Sequence, residues 1–248
     1  MSGGGVGDFV VPVDKPEGPT SHDIVNHVRR LTGVRRVGHA GTLDPLATGL
    51  LPVFVGPATR LIEYLSGYPK RYTARLRLGV STDSDDAHGE VIAKAPVPHL
   101  TRDQIDAAAA PFRGLISQVP PTFSAVKVGG VIAHRAARRG APLELEAREV
   151  TVHELTIDDW LTPELCISVR CSTGTYVRAI ARDLGAAIGC GAHLIEMRRT
   201  DIGAVSADEA ITPDDLQTAF EAETVWEHAA PLDRFFEDWQ RVVLADDQ

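Results

Sequence analysis

Between Tyr72 and Val80 the residues alternate without a break, with Tyr72, Ala74, Leu76, Leu78 and Val80 on one side and Thr73, Arg75 and Arg77 on the other. Successive side chains of a strand point to opposite faces, so this run predicts a half-buried β-strand. A chain with such a strand must build a sheet and cover its apolar face. Thr20 with Asp23 three positions later resembles a capping box, and Ile24, Val25, Val28 and Leu31 then recur at helical spacing until Gly33. Thr101 with Gln104 is a second such pair and predicts a helix from Thr101 to Phe112. Leu165 to Cys171 reads as a strand, Thr173-Gly174-Thr175 as a tight connection, and Tyr176 onward as a helix ending near Gly185. Arg178 and Arg182 share one face of that helix. His193 to Thr200 offers another short strand, and helical patches occupy Pro213 to Trp226. Strands and helices mix without a strict βαβ rhythm, which predicts an α+β fold with a largely antiparallel sheet.

Three stretches are irregular. Gly38, Gly41, Pro45 and Gly49 put too many breakers into residues 38–49 for a regular element, so an ordered loop is predicted. Residues 124–150 are rich in Gly and Arg and weak in apolar periodicity, the character of a long loop or mobile insertion. The acidic run Asp83-Ser84-Asp85-Asp86-Ala87-His88-Gly89 invites a calcium-loop reading, but its glycine comes one place late and Lys94 stands where the bidentate Glu belongs. It reads as a turn.

The net charge of -9 gains meaning when divided along the chain. Residues 201–248 hold 13 Asp and Glu against Arg234 and Arg241, a balance of -11, so residues 1–200, with 23 basic against 21 acidic residues, stand at +2. The basic residues of that body cluster as Arg29-Arg30, Arg35-Arg36, Lys70-Arg71, Arg135 with Arg138-Arg139, and Arg198-Arg199. Clusters make local phosphate-binding fields, while the alternative reading is a set of solvated helix faces and strand ends. Cys166, Cys171 and Cys190 show no CxxC spacing and read as buried thiols, neither a disulfide framework nor a zinc ribbon. No apolar run approaches the roughly 18 residues of a membrane span. Met1 to Gly5 lacks the character of a signal peptide, so a cytoplasmic address is expected.

There is no HExxH, GxSxG elbow or P-loop, which sets aside most hydrolases and nucleotide enzymes. What stands out is Gly38-His39-Ala40-Gly41-Thr42-Leu43-Asp44-Pro45-Leu46-Ala47-Thr48-Gly49-Leu50-Leu51-Pro52, one carboxylate framed by glycines and a proline. On local chemistry alone, an Asp before Pro is a turn former.

This stretch resembles the catalytic motif of the bacterial tRNA pseudouridine-55 synthases, an RxGHxGTLDPxATGxL pattern around an aspartate. Other blocks agree in order: Val13-Asp14-Lys15-Pro16 with Thr20-Ser21-His22, Lys70-Arg71-Tyr72, Pro121 with Ser124-Ala125-Val126-Lys127, Gly174-Thr175-Tyr176-Val177-Arg178 with Asp183-Leu184-Gly185, and Gly191-Ala192-His193-Leu194 with Arg198-Arg199-Thr200. The resemblance implies a pseudouridine synthase fold and an isomerase that needs no cofactor or metal. It implies that Asp44 is the nucleophile, that Arg178 pairs with it and orients it, and that Tyr72 stacks on a flipped uracil. Tyr176 and Met197 match positions lining the base pocket, the latter commonly leucine, and His39 matches the histidine that fills the space the nucleotide leaves. Lys15, grouped with the substrate-side residues, reads with Pro16 as a support of the active-site loop. The insertion at 124–150 resembles a thumb that closes on the T stem-loop of tRNA and orders on binding it. The acidic stretch from Asp201 is expected to face away from RNA.

On the same resemblance, residues 1–232 form the catalytic domain and 233–248 the start of a C-terminal PUA-like segment, truncated or naturally short. The expected partner is tRNA, with no membrane, no obligatory protein partner and a monomeric state. Two rivals stay open: a guide-dependent synthase acting on ribosomal RNA, and an RNA-binding or tRNA-folding module without catalysis.

Overall fold

The protein is described by a computed structural model covering residues 9–65, 67–231, 234 and 235. In chain order the strands are β1 (Phe9–Lys15), β2 (Val37–His39), β3 (Ala47–Val55), β4 (Lys70–Leu78), β5 (Val80–Thr82), β6 (Val91–Lys94), β7 (Gly114–Gln118), β8 (Lys127–Val128), β9 (Val131–Ile132), β10 (Arg148–Leu161), β11 (Glu164–Cys171), β12 (Ala192–Ile202) and β13 (Val205–Ser206). The helices are α1 (Ser21–Thr32), α2 (Ile62–Leu65), α3 (Arg102–Ala109), α4 (Ala133–Ala137), α5 (Val177–Ile188) and α6 (Pro213–Glu221).

One nine-stranded sheet dominates, in the order β1-β3-β12-β4-β11-β10-β7, with β2 added to β3 and β13 to β12. Its neighbours pair antiparallel except β3 with β12, which is the mixed, mostly antiparallel α+β architecture the sequence predicts. One face of the sheet packs against α1, α3, α5 and α6, whose Ile24, Val28, Ile105, Ile180, Leu184 and Leu216 share a core with Val13, Leu51, Leu76 and Ile167. A smaller core of Val10, Leu50, Phe54, Ala58, Leu65, Ile202, Val205 and Phe235 covers the other face at the β1–β3 end. This explains two different sequence textures. β4 is covered on one face and alternates buried with exposed residues, whereas β3 is covered on both and is buried almost throughout.

Both capping boxes form, Thr20 with Asp23 opening α1 and Thr101 with Gln104 opening α3, which a single-turn 3₁₀ helix extends to Phe112. Several boundaries differ from expectation. The strand expected to run from Tyr72 to Val80 ends at Leu78, because Gly79 at φ +84° turns the chain and Val80 opens β5 in a separate two-stranded sheet with β6. Of residues 38–49, only 40–46 lie outside strands, because β2 runs to His39 and β3 begins at Ala47. α5 continues past Gly185 to Ile188, and a Cβ at Gly185 would overlap the backbone nitrogen of Ala192, so this glycine marks a close crossing with β12 instead of a helix end. The 124–150 insertion is more regular than predicted: β8 and β9 form a hairpin, α4 follows, and Arg148 already belongs to β10. Cys171 and Cys190 are buried as expected, but Cys166 is only half-buried on β11. The segment 233–248 lies outside the described residues apart from Arg234 and Phe235.

Candidate active site

Asp44 stands in the loop between β2 and β3, and its position follows from how that loop is pinned. Leu43 and Leu46 on either side are buried in the core, each contributing about 1.5–3 kcal/mol relative to exposure. The Ser21 hydroxyl, at the first residue of α1, accepts from the Leu43 amide at 2.8 Å and donates to the Leu43 carbonyl at 3.0 Å. Lys15, fully buried at the end of β1, donates from Nζ to the carbonyls of Pro16 at 2.8 Å, Pro45 at 3.3 Å and Ala47 at 2.7 Å. An ammonium has three donors, so every N–H of Lys15 is engaged by a backbone carbonyl, two of them just after Asp44, and the structure does not bring it to a substrate surface. Burial pulls its pKa down to about 8, against the opposing pull of the Asp44 carboxylate.

Arg199 braces the loop from β12. It is buried, its Nε donates to the Leu50 carbonyl at 2.7 Å and its Nη2 to the Gly41 carbonyl at 3.0 Å. Gly49, at φ +96°, lies against this strand, and a Cβ there would overlap the Arg199 carbonyl oxygen. Arg198 pairs through both Nη atoms with Asp14 at 2.8 Å. The Arg198-Arg199 pair is therefore structural, and so is Lys70, which is buried and donates to the Tyr68 carbonyl at 2.7 Å. Arg30, Arg35, Arg36, Arg135, Arg138 and Arg139 remain exposed.

Arg178 enters from the first turn of α5. It is 3% exposed, and its Nε donates to Asp44 Oδ2 at 2.9 Å while Asp44 itself stays 31% exposed. Its Nη1 donates to the Ser84 carbonyl at 2.8 Å and lies 3.5 Å from Asp86 Oδ2, and its Nη2 donates to the Phe123 carbonyl at 3.1 Å. The start of α5 is itself fixed by Gln118 of β7, whose side-chain amide accepts from the Tyr176 amide at 2.9 Å and donates to the Tyr176 carbonyl at 3.1 Å. A buried guanidinium with all its arms engaged holds the carboxylate in one orientation while leaving it open to solvent.

Tyr72 sits on β4 directly opposite Arg199 of β12, and Met197 is paired with Ala74 on β4 and Ala47 on β3. These registers put Tyr72, Met197 and Arg199 on one face of the sheet. Burial raises the Tyr72 pKa, with the Arg199 guanidinium working the other way. His39 ends β2; burial and then Arg199 lower its pKa, and its Nδ1 is buried without a hydrogen-bond partner. Tyr176 stands two residues before Arg178, with the Arg148 guanidinium 5.0 Å from its ring centroid. Asp44 and Arg178 are in direct contact, Tyr72 lies near enough to feel the Asp44 carboxylate, and Met197 shares the Tyr72 face of the sheet, with His39 and Tyr176 on the flanking segments. Sequence reasoning missed Arg199, Gln118, Ser21 and the Ser84–Asp86 turn as site residues. Among the described residues no cluster of His, Cys, Asp or Glu is arranged to hold a metal ion.

The family model of the TruB family pseudouridylate synthase N-terminal domain matches residues 29–177, more than half of the chain. The chain belongs to this family. A second TruB model, the tRNA pseudouridylate synthase B C-terminal domain, matches residues 178–243. The boundary between the two falls in the first turn of α5, and β12 from the second region lies between β3 and β4 of the first, so the matches meet within one sheet. The chain is 51% identical over 221 residues to the tRNA pseudouridine synthase B of Thermobifida fusca (strain YX), covering 86% of this chain and 75% of that protein. It is 46% identical over 215 residues to that of Mycobacterium tuberculosis (strain ATCC 25618 / H37Rv), covering 85% and 72%. Among solved structures it is similar to a Cbf5-Nop10-Gar1 complex, with TM-score 0.73 and 28% identity over 92% of this chain and 61% of that one. A Nop10-Cbf5 complex of the archaeal box H/ACA sRNP gives TM-score 0.69 at 26% identity, over 92% and 61%. In both cases this TruB-family chain spans about three-fifths of the solved chain.

Proposed function

We propose that the protein is a tRNA pseudouridine synthase that isomerises uridine 55 in the T loop, with Asp44 as nucleophile. The observation that carries this reading is the half-buried Asp44 carboxylate held at 2.9 Å by a buried Arg178, in a loop pinned by Lys15, Ser21 and Arg199. The reaction breaks the N1–C1′ bond of the nucleotide, turns the base, forms a C5–C1′ bond, releases the C5 proton and protonates N1. The nucleotide's composition is unchanged, so no redox partner or group donor is consumed. A carboxylate fixed in orientation suits the nucleophile's role. A T-loop uridine must leave its stack before the bond is reachable, a step that takes a few kcal/mol and that stacking on an aromatic face offsets. In this reading Tyr72, Tyr176 and Met197 receive the base and His39 occupies the space it vacates.

Residues 1–232 make up the catalytic domain, and 233–248 begin a PUA-like segment. The insertion at 124–150 closes on the T stem-loop, with Arg135, Arg138 and Arg139 toward phosphate; its root is already tied to the site, since the Phe123 carbonyl accepts from Arg178. The enzyme works in the cytoplasm as a monomer without an obligatory protein partner. A guide-dependent reading is weaker, because the Cbf5 likeness stands at 26–28% identity against 46–51% for the proteins named tRNA pseudouridine synthase B.

The test is an unmodified tRNA transcript incubated with the protein alone, followed by carbodiimide derivatisation and primer extension. A new stop at the T-loop uridine is the expected result. Binding of tRNA with no stop anywhere would replace this reading with that of a non-catalytic RNA-binding module.

A further inference from the structure

Arg182 lies one helical turn beyond Arg178 on the same face of α5. Its Nη1 donates to Asp85 Oδ2 at 3.0 Å, its Nη2 to the Val119 carbonyl at 2.9 Å, and its Nε to Asp183 Oδ1 at 2.7 Å. The first two partners belong to the segments that supply Arg178 with its own acceptors. Asp85 directly follows Ser84, whose carbonyl receives Arg178 Nη1, and Val119 precedes by four residues Phe123, whose carbonyl receives Nη2. Asp85 is buried at φ +62°, a region where a residue with a Cβ needs its surroundings to hold it. The Leu194 amide, donating to the Asp85 carbonyl at 3.0 Å, and the Arg182 guanidinium do so.

We propose that Asp85 and Arg182 are a positioning pair for the reaction assigned above: they hold the Ser84 and Phe123 carbonyls where Arg178 must bond them to keep its Nε on Asp44. Arg178 has five N–H donors and its aim depends on where the acceptors lie. Arg182, one turn further along the helix, reaches both acceptor segments, the Ser84 turn through its ion pair with Asp85 and the Phe123 segment through its hydrogen bond to the Val119 carbonyl. Neither member of the pair touches the reacting atoms. The inference rests on the reading of Asp44 and Arg178 as the nucleophile and its partner.

The experiment measures single-turnover pseudouridine formation and tRNA affinity separately for wild type, Asp85→Asn, Arg182→Gln and the double variant, with Asp44→Ala as the inactive control. Asn is close to isosteric and tolerates positive φ, so Asp85→Asn keeps the backbone of the turn. Each single variant is expected to lose about tenfold or more in rate with tRNA affinity within about twofold of wild type, as for a small misplacement of a reacting group. The double variant is expected to be no slower than the worse single variant, since both changes break the same contact. In parallel, the Nε–H resonance of Arg178, assigned with Arg178→Lys, is expected to exchange slowly in wild type and faster in Asp85→Asn. A wild-type rate in Asp85→Asn, losses that multiply in the double variant, or a loss confined to affinity would each overturn the positioning role. Were the wild type itself inactive on tRNA, the functional reading would fail first and take this inference with it; with wild type active and Asp44→Ala inactive, a negative result falls on the pair alone.

Discussion

Arg178 Nε lies 2.9 Å from Asp44 Oδ2 although 134 residues separate the two in the chain. The bond joins the first turn of α5 to the β2–β3 loop, and the guanidinium is 3% exposed. Removing it takes the cation from beside the buried Asp86 carboxylate and leaves the Ser84 and Phe123 carbonyls without its donors, while Asp44 keeps partial access to solvent. Arg178→Met is therefore expected to lose about 3 kcal/mol in urea denaturation, as for a buried pair broken on one side. It is also expected to slow pseudouridine formation at least about a hundredfold, the scale on which a preorganised charged donor contributes to rate. Arg178→Lys keeps the charge but not the forked geometry and should recover stability before it recovers rate.

Lys15 sets an alkaline limit. Its pKa is lowered to about 8 by burial, below the roughly 10.4 of an unfolded lysine. Between these values the unfolded chain binds more protons, so the contribution of Lys15 to folding stability rises with pH across that window, in the same sense as that of Lys70, also lowered to about 8. Activity should move oppositely. A neutral amine keeps two N–H groups for three carbonyls, and the Asp44 loop loosens. The single-turnover rate is expected to fall with a midpoint near pH 8, and Lys15→Met to show a lower, flat profile. A wild-type rate unchanged to pH 9.5 would show that the charge on Lys15 does not hold the Asp44 loop in its active form.

Gly49 couples the loop to the sheet. It takes φ +96° inside β3, with the Arg199 backbone against its Cα. Gly49→Ala combines a strained backbone with an overlap against main chain, each costing roughly 1–3 kcal/mol. The expected result is a fall in the urea midpoint equivalent to about 2–5 kcal/mol, accompanied by loss of activity. A variant within 1 kcal/mol of wild type would show that β12 yields there more easily than the packing implies.

Asp85 sacrifices stability at neutral pH. Burial pushes its pKa up to about 6, with Arg182 and then Arg178 opposing. An unfolded Asp titrates near 3.9, so between about 4 and 6 the folded chain binds more protons and stability falls as pH rises through this window. The ionised group then costs on the order of 2–3 kcal/mol at pH 7.5. Asp85→Asn removes that charge while Arg182 retains Asp183 and Val119. It should be at least as stable as wild type at pH 7.5, with the gap closing below pH 5 in urea titrations, and yet be the slower enzyme. A variant clearly less stable than wild type at pH 7.5 would contradict this.

The parts of the fold read correctly from sequence are those decided locally. The Thr20–Asp23 and Thr101–Gln104 boxes announce α1 and α3 because a cap is a contact across three residues, and β4 announces itself because only one of its faces is covered. β3 does not, because burial on both faces erases alternation and Gly49 and Pro52 mimic breakers. Gly185 looks like a helix end until the Ala192 backbone is seen against it. Asp44 is a turn former by its neighbours alone, and only the motif resemblance singles it out. Arg199 looks like half of a phosphate-binding cluster, since a sequence displays charge and not the carbonyls of Gly41 and Leu50 that absorb it. Ser84 and Phe123 contribute through their backbone carbonyls, which no residue pattern records.

The proposed function rests on the Asp44 carboxylate performing the chemistry. Asp44→Asn changes one oxygen to an amide in a loop held by Lys15, Ser21 and Arg199, so the pocket and its tRNA affinity should survive. The direct measurement is single-turnover conversion of a tRNA transcript by wild type and Asp44→Asn at matched occupancy, with pseudouridine mapped by primer extension. A stop at the T-loop uridine is expected with wild type and none with the bound variant. Pseudouridine formed by Asp44→Asn at a rate within tenfold of wild type would contradict it.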